Sequence, residues 1–419
     1  MREFIELMRE RSAVIDVDEM PGGEFDAPKM ASTTNSLLFF HNLPGGRGVM
    51  NVTASRNALS LALGVDEKEM GKQVSRASCQ GRVVSEGTLS MARADLSRIP
   101  AMKFFPGDAG KYLTAGIVFS RFNDVENASI HRMLILDNER VAARLVEGRH
   151  TYTLHREALA AGLELPVAVA IGVHPSITFA CCTRVPKGGE LPFAAELLGG
   201  EIRVHQCQNG VRVPDAEIIL EGYIGRETAE EGPFVDITGT YDSVRTQPVI
   251  RFTGMHLKSG CIYHSILPGG NEHRLLMGVP YEPVIFRAVA GVTEARNVVL
   301  TTGGCGYLHA VIQIKKSTQG DGKNAIMAAF AAHTSLKHVV VVDEDIDPAN
   351  PEEVEYAIAT RVRGDQDIMV ISGVRGSSLD PCRVGDGTNV KVGVDATMIL
   401  GRENEFRRAT WRVDDDSFT

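Results

Sequence analysis

Three things are missing from this 419-residue sequence, and each absence excludes a class of function. There is no surplus of basic residues: 44 Lys and Arg face 53 Asp and Glu, a formal net charge of −9. A chain so charged has no broad cationic face, so nucleic acid is not an expected partner, although a small anion could still meet local arginines. No apolar run approaches the length of a membrane span, and the opening MREFIELMRERS reads as a charged helix and not as a signal peptide, so the expected location is cytoplasmic. Paired cysteines are lacking too. The seven, at 79, 181, 182, 207, 261, 305 and 382, are odd in number and show no C-x-x-C spacing, which excludes a disulfide framework and a zinc knuckle.

What is present is an ordinary globular composition, 43% hydrophobic, long enough for two or three domains. Residues 1–105 combine a helical opening, the strand SLLFFHN, the turn LPGGRG, the strand VMNVT and the helix NALSLALG closed by Gly64, a small α/β unit. Residues 106–290 hold short β-branched runs, KYLTAGIVFS, IHRMLIL, HTYTLH, PVAVAIGV, AEIILEGYI, PVIRFTGMHLK and CIYHSIL, around a helical interval at PFAAELLGG. This pattern predicts a barrel or sandwich interrupted by helices. From about 291 to 419, strands (AVIQIKK, HVVVVDEDI, DIMVISG) alternate with helices (NAIMAAFAAHT, PEEVEYAIATRV), as in a parallel βαβ sheet.

Several motifs compete for a functional role. GDGKNA at 320–325 lacks the earlier glycine and following Ser or Thr of a phosphate loop, so Lys323 is read as opening a helix. The acidic VVDEDID at 341–347 stands at a strand end, where a ligand or a helix cap are both possible. Asn127, His150 and Glu221 are an amide, an imidazole and a carboxylate able to ligate a divalent cation, with Arg132 among them; spacing alone favours satisfied polar residues on half-buried strands over a metal site. Glu272 lies in a Gly-rich stretch expected to be a mobile loop, and Lys391 could be an exposed strand lysine.

The order of these motifs carries a resemblance. N-x-S-x-x-R at Asn127–Arg132, RH at 149–150, PVAVAIGVHPS at 166–176 and AEIILEGYI at 216–224 are followed by EGPFVDITGTY at 231–241, IYHSILPGGNE at 262–272 and VKVGVDAT at 390–397. Together they cover nearly the whole chain, which resembles the UbiD family of decarboxylases that use prenylated FMN. The resemblance implies an N-terminal α/β domain (1–105), a central split β-barrel that binds the flavin (106–290), and a C-terminal α/β domain (291–419) carrying much of the interface of a homodimer or homohexamer. It implies that Mn2+ or Mg2+, with K+ nearby, ties down the flavin phosphate, with Asn127, His150 and Glu221 as metal ligands. Ser129, Arg132 and Lys391 would join them in holding the cofactor, Lys391 at its phosphate. Arg132 would be the catalytic arginine and Glu272 the proton donor from a mobile loop, with Glu231 a candidate second catalytic glutamate.

The reaction so implied is reversible, non-oxidative decarboxylation of an α,β-unsaturated or aromatic acid, the flavin accepting the electrons released as carbon dioxide leaves. A separate flavin prenyltransferase would supply the cofactor. The chain is similar to compact archaeal members, so the favoured substrate is trans-anhydromevalonate 5-phosphate, giving isopentenyl phosphate. Arg274, His273 or Lys258 are candidates to meet its phosphate. A hydroxybenzoate or acrylic-type acid, or a flavin-binding oxidoreductase that does not decarboxylate, are the alternatives. The arginines at 140, 144 and 149 have no assigned role.

Overall fold

The computed structural model describes residues 1–409, which fall into two compact units, Met1–Tyr281 and a second beginning at Glu282. In the first, a four-stranded sheet runs in the order Val14–Val17, Leu37–Leu43, Gly46–Met50, Ile262–His264. Its last strand is the IYH that the sequence groups with the barrel, and it pairs in parallel with Gly46–Met50.

The larger sheet carries the site. Its strands, in chain order, are β1 (Tyr112–Leu113), β2 (Ile117–Phe122), β3 (Val125–Ile130), β4 (Met133–Ile135), β5 (Arg140–Ala143), β6 (Leu165–Ile171), β7 (Ile218–Glu231) and β8 (Arg245–Leu257). They are hydrogen-bonded in the order β1-β4-β5-β8-β7-β6-β2-β3, with the short Ala92–Arg93 added beside β8. Alternation sorts their side chains. Val118, Val167, Val169, Leu220, Ile250 and Phe252 fill one core, while Phe119, Ala168, Ala170 and Ile219 pack on the other face against helices Pro175–Cys182 and Glu190–Leu197.

This sheet has to curl. β3 ends the path on one side and β4 lies second from the other end, so in a flat sheet six strand spacings, roughly 29 Å, would separate them. Only His131 and Arg132 lie between Ile130 and Met133, a link that reaches at most about 11 Å. The two ends of the path therefore meet, and His131 N–H donates to the Gly116 carbonyl at the seam, 3.2 Å away.

Two expectations fail here for local reasons. HTYTLH is not a strand but the start of helix α1 (His150–Ala160), because Thr151, Leu154, His155 and Ala158 form a buried helical face despite the β-branched residues. In the second unit the sheet order is Glu294–Leu300, His309–Lys315, His338–Val342, Thr388–Ala396, Ile368–Arg375. Its three central strands are parallel and both outer ones antiparallel, so it is mixed and not wholly parallel. Within it the acidic Asp343 and Asp345 pair with the buried Arg361, and Lys323 does lie in the first turn of helix Asp321–Ala332.

Candidate active site

Along β3 and into the seam run Asn127, Ser129 and His131, and their polar groups form one chain of hydrogen bonds. The His131 Nδ1 stands 2.8 Å from the Arg144 carbonyl, so that nitrogen carries the proton and Nε2 accepts from Ser129 (2.9 Å) or Thr151 (3.1 Å). Thr151, at the start of α1, also meets Asn127 at 2.9 Å. Burial pushes the His131 imidazole down to about 4, so it is neutral at ordinary pH.

Beside Asn127 lies the first part of the site. Glu190, which opens helix α2 (Glu190–Leu197), is 5% exposed, and its Oε1 is 3.7 Å from His150 Nδ1 at the start of α1. The Asn127 amide reaches the same oxygen at 3.3 Å. Turned one way it donates to Glu190; turned the other, its carbonyl oxygen faces the carboxylate and only a cation between them makes that favourable. Ligands about 2.1 Å from a six-coordinate cation lie roughly 3 Å apart, so these spacings fit one metal ion after small adjustment. Burial raises the Glu190 carboxyl to about 7, the mark of an acid lacking a compensating charge. Burial, then the nearby Lys187 and Arg149, lower the His150 imidazole, favouring the neutral form that ligates metal.

Glu221 does not take part. Cross-strand register links Asn127 to Ser120, Val167 and Gly222, whereas Glu221 aligns with Ala168, Phe119 and Ala128. It is therefore three strand spacings from β3, roughly 14 Å, and on the opposite face of the sheet. Its carboxylate accepts instead from the Asn209 backbone N–H at 3.2 Å. Glu190 supplies the carboxylate that the sequence reading gave to Glu221. The signal for it was an acid in GGELPFAAEL, otherwise readable as a helix-opening charge.

The second part surrounds Arg132 at the seam. Its Nε and Nη2 donate to the two oxygens of Glu231 at 2.9 and 3.0 Å, a fork-to-fork pair. Nη1 reaches Asp236 at 3.2 Å and Nη2 also reaches Asp242 at 2.9 Å, while the guanidinium stacks 4.9 Å from the Phe234 ring centre. Glu231 is fully buried at the end of β7 and accepts another hydrogen bond from Tyr112 on β1, 3.2 Å away. Asp236 begins the turn between the short strands Phe234–Val235 and Tyr241–Asp242, and its side chain keeps 17% exposure. Burial acts against the Asp242 charge, but ion pairs with Arg245 and Arg132 outweigh it and hold its pKa below the usual value. Asp236 was missed in the sequence although it stands in the quoted EGPFVD, five residues after Glu231.

Glu272 is not on a mobile loop. It lies in the first turn of helix α3 (Asn271–Gly278), 1% exposed, and accepts from Val52 N–H (3.2 Å), Thr53 N–H (3.0 Å), the Thr53 hydroxyl (3.1 Å) and His264 (3.2 Å). Its carboxylate is thus committed to joining two segments of the first unit. Lys391 is likewise buried, in the second unit, where its ammonium donates to the Thr334 and Leu336 carbonyls and lies 5.1 Å from the Phe330 ring centre. Burial lowers its pKa to about 8. Of the side chains proposed to meet a phosphate, Lys258 pairs with Asp215 at 2.5 Å, Arg274 donates to the Ile237 carbonyl at 3.2 Å, and His273 accepts from Gly269 N–H at 3.1 Å.

Comparison with known proteins matches residues 5–396 of the chain to one family. Profiles for the 3-octaprenyl-4-hydroxybenzoate carboxy-lyase fit residues 5–78 (N-terminal domain), 72–271 (Rift-related domain) and 274–396 (C-terminal domain). An anhydromevalonate phosphate decarboxylase of Methanosarcina mazei is 51% identical over 97% of this chain and 98% of its own. One of Methanothermobacter thermautotrophicus is 46% identical over 98% and 99%. Among solved structures, the UbiD-class enzyme HmfF of Pelotomaculum thermopropionicum in complex with FMN superposes with a TM-score of 0.93 at 32% identity, covering 98% of this chain and 96% of that one. An evolved dimeric form of the same enzyme in complex with prenylated FMN gives 0.89 at 30% identity, with the same coverage.

Proposed function

Since the chain belongs to the UbiD family of carboxy-lyases, we propose that it decarboxylates trans-anhydromevalonate 5-phosphate to isopentenyl phosphate with prenylated FMN. The observation that carries this reading is the joint layout of β3 and the seam: an amide, an imidazole and a carboxylate gathered at Asn127 and, five residues on, an arginine enclosed by carboxylates. A simple flavin carrier needs a phosphate anchor but has no use for Arg132, Glu231 and Asp236 together.

Asn127, His150 and Glu190 are proposed to hold a divalent cation that bridges to the flavin phosphate. Their mixed nitrogen and oxygen donors suit manganese better than magnesium, which prefers oxygen alone; potassium is proposed beside it. The prenylated flavin, when bound, supplies the electron sink for the carbon–carbon cleavage. Arg132, locked by Glu231, whose carboxylate Tyr112 holds in turn, orients the substrate carboxylate. Glu231 is fully enclosed and serves to position that guanidinium. Asp236, with residual exposure and one longer contact to Arg132, is the acid able to pass a proton to the carbon that carbon dioxide leaves. In this reading Glu272 and Glu221 hold the fold together and take no part in chemistry.

The test is to co-express the chain with a flavin prenyltransferase, verify the bound flavin by mass spectrometry, and supply the phosphorylated acid. Carbon dioxide and isopentenyl phosphate are the expected products. Release of carbon dioxide only from hydroxybenzoates or acrylic acids would replace the substrate, and a preparation that binds flavin yet decarboxylates nothing would refute the reading.

A further inference from the structure

One arginine of the site forms no ion pair among the described residues. Continuing the register of β4 and β5, in which Met133 lies opposite Ala143, places Arg144 directly across from Arg132, and the Arg144 N–H donates to the Arg132 carbonyl at 3.1 Å. Cross-strand partners point to the same face with roughly 5 Å between their Cβ atoms. Arg132 answers to Glu231, Asp236 and Asp242, and Arg245 pairs with Asp242. Among the described residues Arg144 forms no ion pair; its one side-chain hydrogen bond goes to the neighbouring Leu145 carbonyl at a long 3.3 Å.

The contrast along the same segment sharpens the point. Arg140, at the other end of β5 and 43% exposed, pairs with Asp137 and Glu227, where water would have sufficed. Arg144 is half-buried; burial and then the nearby Arg245 and Arg132 disfavour its charge more than the more distant pull of Asp242 and Glu231 supports it, so a directly paired anion would be favourable there. Its backbone is also fixed from three sides: by Arg132, by the His131 imidazole on its carbonyl, and by Gln247 Oε1, which accepts from the next N–H, that of Leu145, at 2.9 Å. A half-desolvated cation on a fixed backbone, with no carboxylate in direct contact, is a prepared anion site.

Resting on the function proposed above, we propose that Arg144 receives the phosphate of the substrate while Arg132 takes its carboxylate, so that this strand pair selects a short acid with an anion at each end. A five-carbon chain with terminal carboxylate and phosphate spans two guanidiniums projecting from adjacent strands. The flavin phosphate is the other phosphomonoester in reach, but the trio at Asn127 addresses it, and five residues of strand, up to roughly 16 Å, separate Asn127 from Arg132.

The experiment compares Arg144→Gln and Arg144→Lys with the parent enzyme, all flavin-loaded. Turnover is measured on the phosphorylated acid and on the same acid lacking phosphate, and inorganic phosphate is titrated calorimetrically into each protein. Arg144→Gln is expected to raise KM for the phosphorylated acid about 30-fold or more, leave the unphosphorylated acid unaffected and abolish phosphate binding, with Arg144→Lys intermediate. Equal losses on both acids, unchanged KM for the phosphorylated one, or loss of bound flavin from Arg144→Gln would each overturn the assignment. Should the parent fail to turn over the phosphorylated acid yet lose phosphate binding on Arg144→Gln, the anion site would stand and the substrate proposed above would fall.

Discussion

In the proposed mechanism Arg132 and Asp236 divide the chemistry at the level of single atoms, and substitution should separate their roles. Asp236→Asn keeps shape but cannot deliver a proton, so kcat should fall by about 10²- to 10⁴-fold with bound flavin unchanged in absorbance. Glu231→Gln leaves a donor facing the Arg132 fork, and stopped-flow turnover should drop about 100-fold through misplacement of the guanidinium. His131 offers a pH test. Its folded pKa, about 4, is depressed below the ordinary 6.5, so the folded state favours the neutral ring. Its contribution is therefore fully present above pH 6.5 and lost as pH falls toward 4, on the order of 3 kcal/mol. Urea midpoints measured from pH 7 to 4 should fall more steeply for the parent than for His131→Gln; parallel curves would contradict this.

Helix Asn271–Gly278 shows what an element can hide. A carboxylate in a glycine-rich stretch reads as mobile, yet Glu272 joins Val52, Thr53 and His264 from the first turn of a helix. Glu272→Ala would strand two buried backbone N–H groups, costing about 2–4 kcal/mol in a thermal melt, while folded, flavin-loaded enzyme keeps its kcat. Legibility in the sequence followed element type. Asn127 and Ser129 on β3, and Arg132 just beyond it, were readable because N-x-S-x-x-R lies in one continuous run that the family resemblance could match. Glu190 was not, since a helix-opening acid looks the same whether it caps or ligates. Nor could Glu221 be placed: alternation says that a strand residue faces a core, not which core, nor how many strands away its partner lies. Pattern also misjudged HTYTLH, where tertiary burial of one face overrode β-propensity.

For the whole molecule, the alternation of strand and helix signals conveyed a mixed α/β architecture, but strand order across the larger sheet depends on pairings between distant stretches, such as Arg140 with Arg251, which no local pattern encodes. The cation trio gathers its side chains from β3, α1 and α2, three elements of one unit. Chelation of the loaded enzyme should therefore release flavin and lower Tm together, and added Mn2+ should restore both. Retention of flavin at full occupancy after exhaustive chelation would rule out the trio as the anchor.

The seam has one more effect, on tolerance to change. Asn127 and Arg132 are two marks on a single covalent ruler, so the distance between the proposed cation ligand on β3 and the proposed reacting guanidinium is bounded by five peptide units, whatever the packing of the other elements. Substitutions elsewhere can loosen the protein without altering that length. A single residue inserted between the two marks would move one past the other by about 3.3 Å and reverse the face on which it lies.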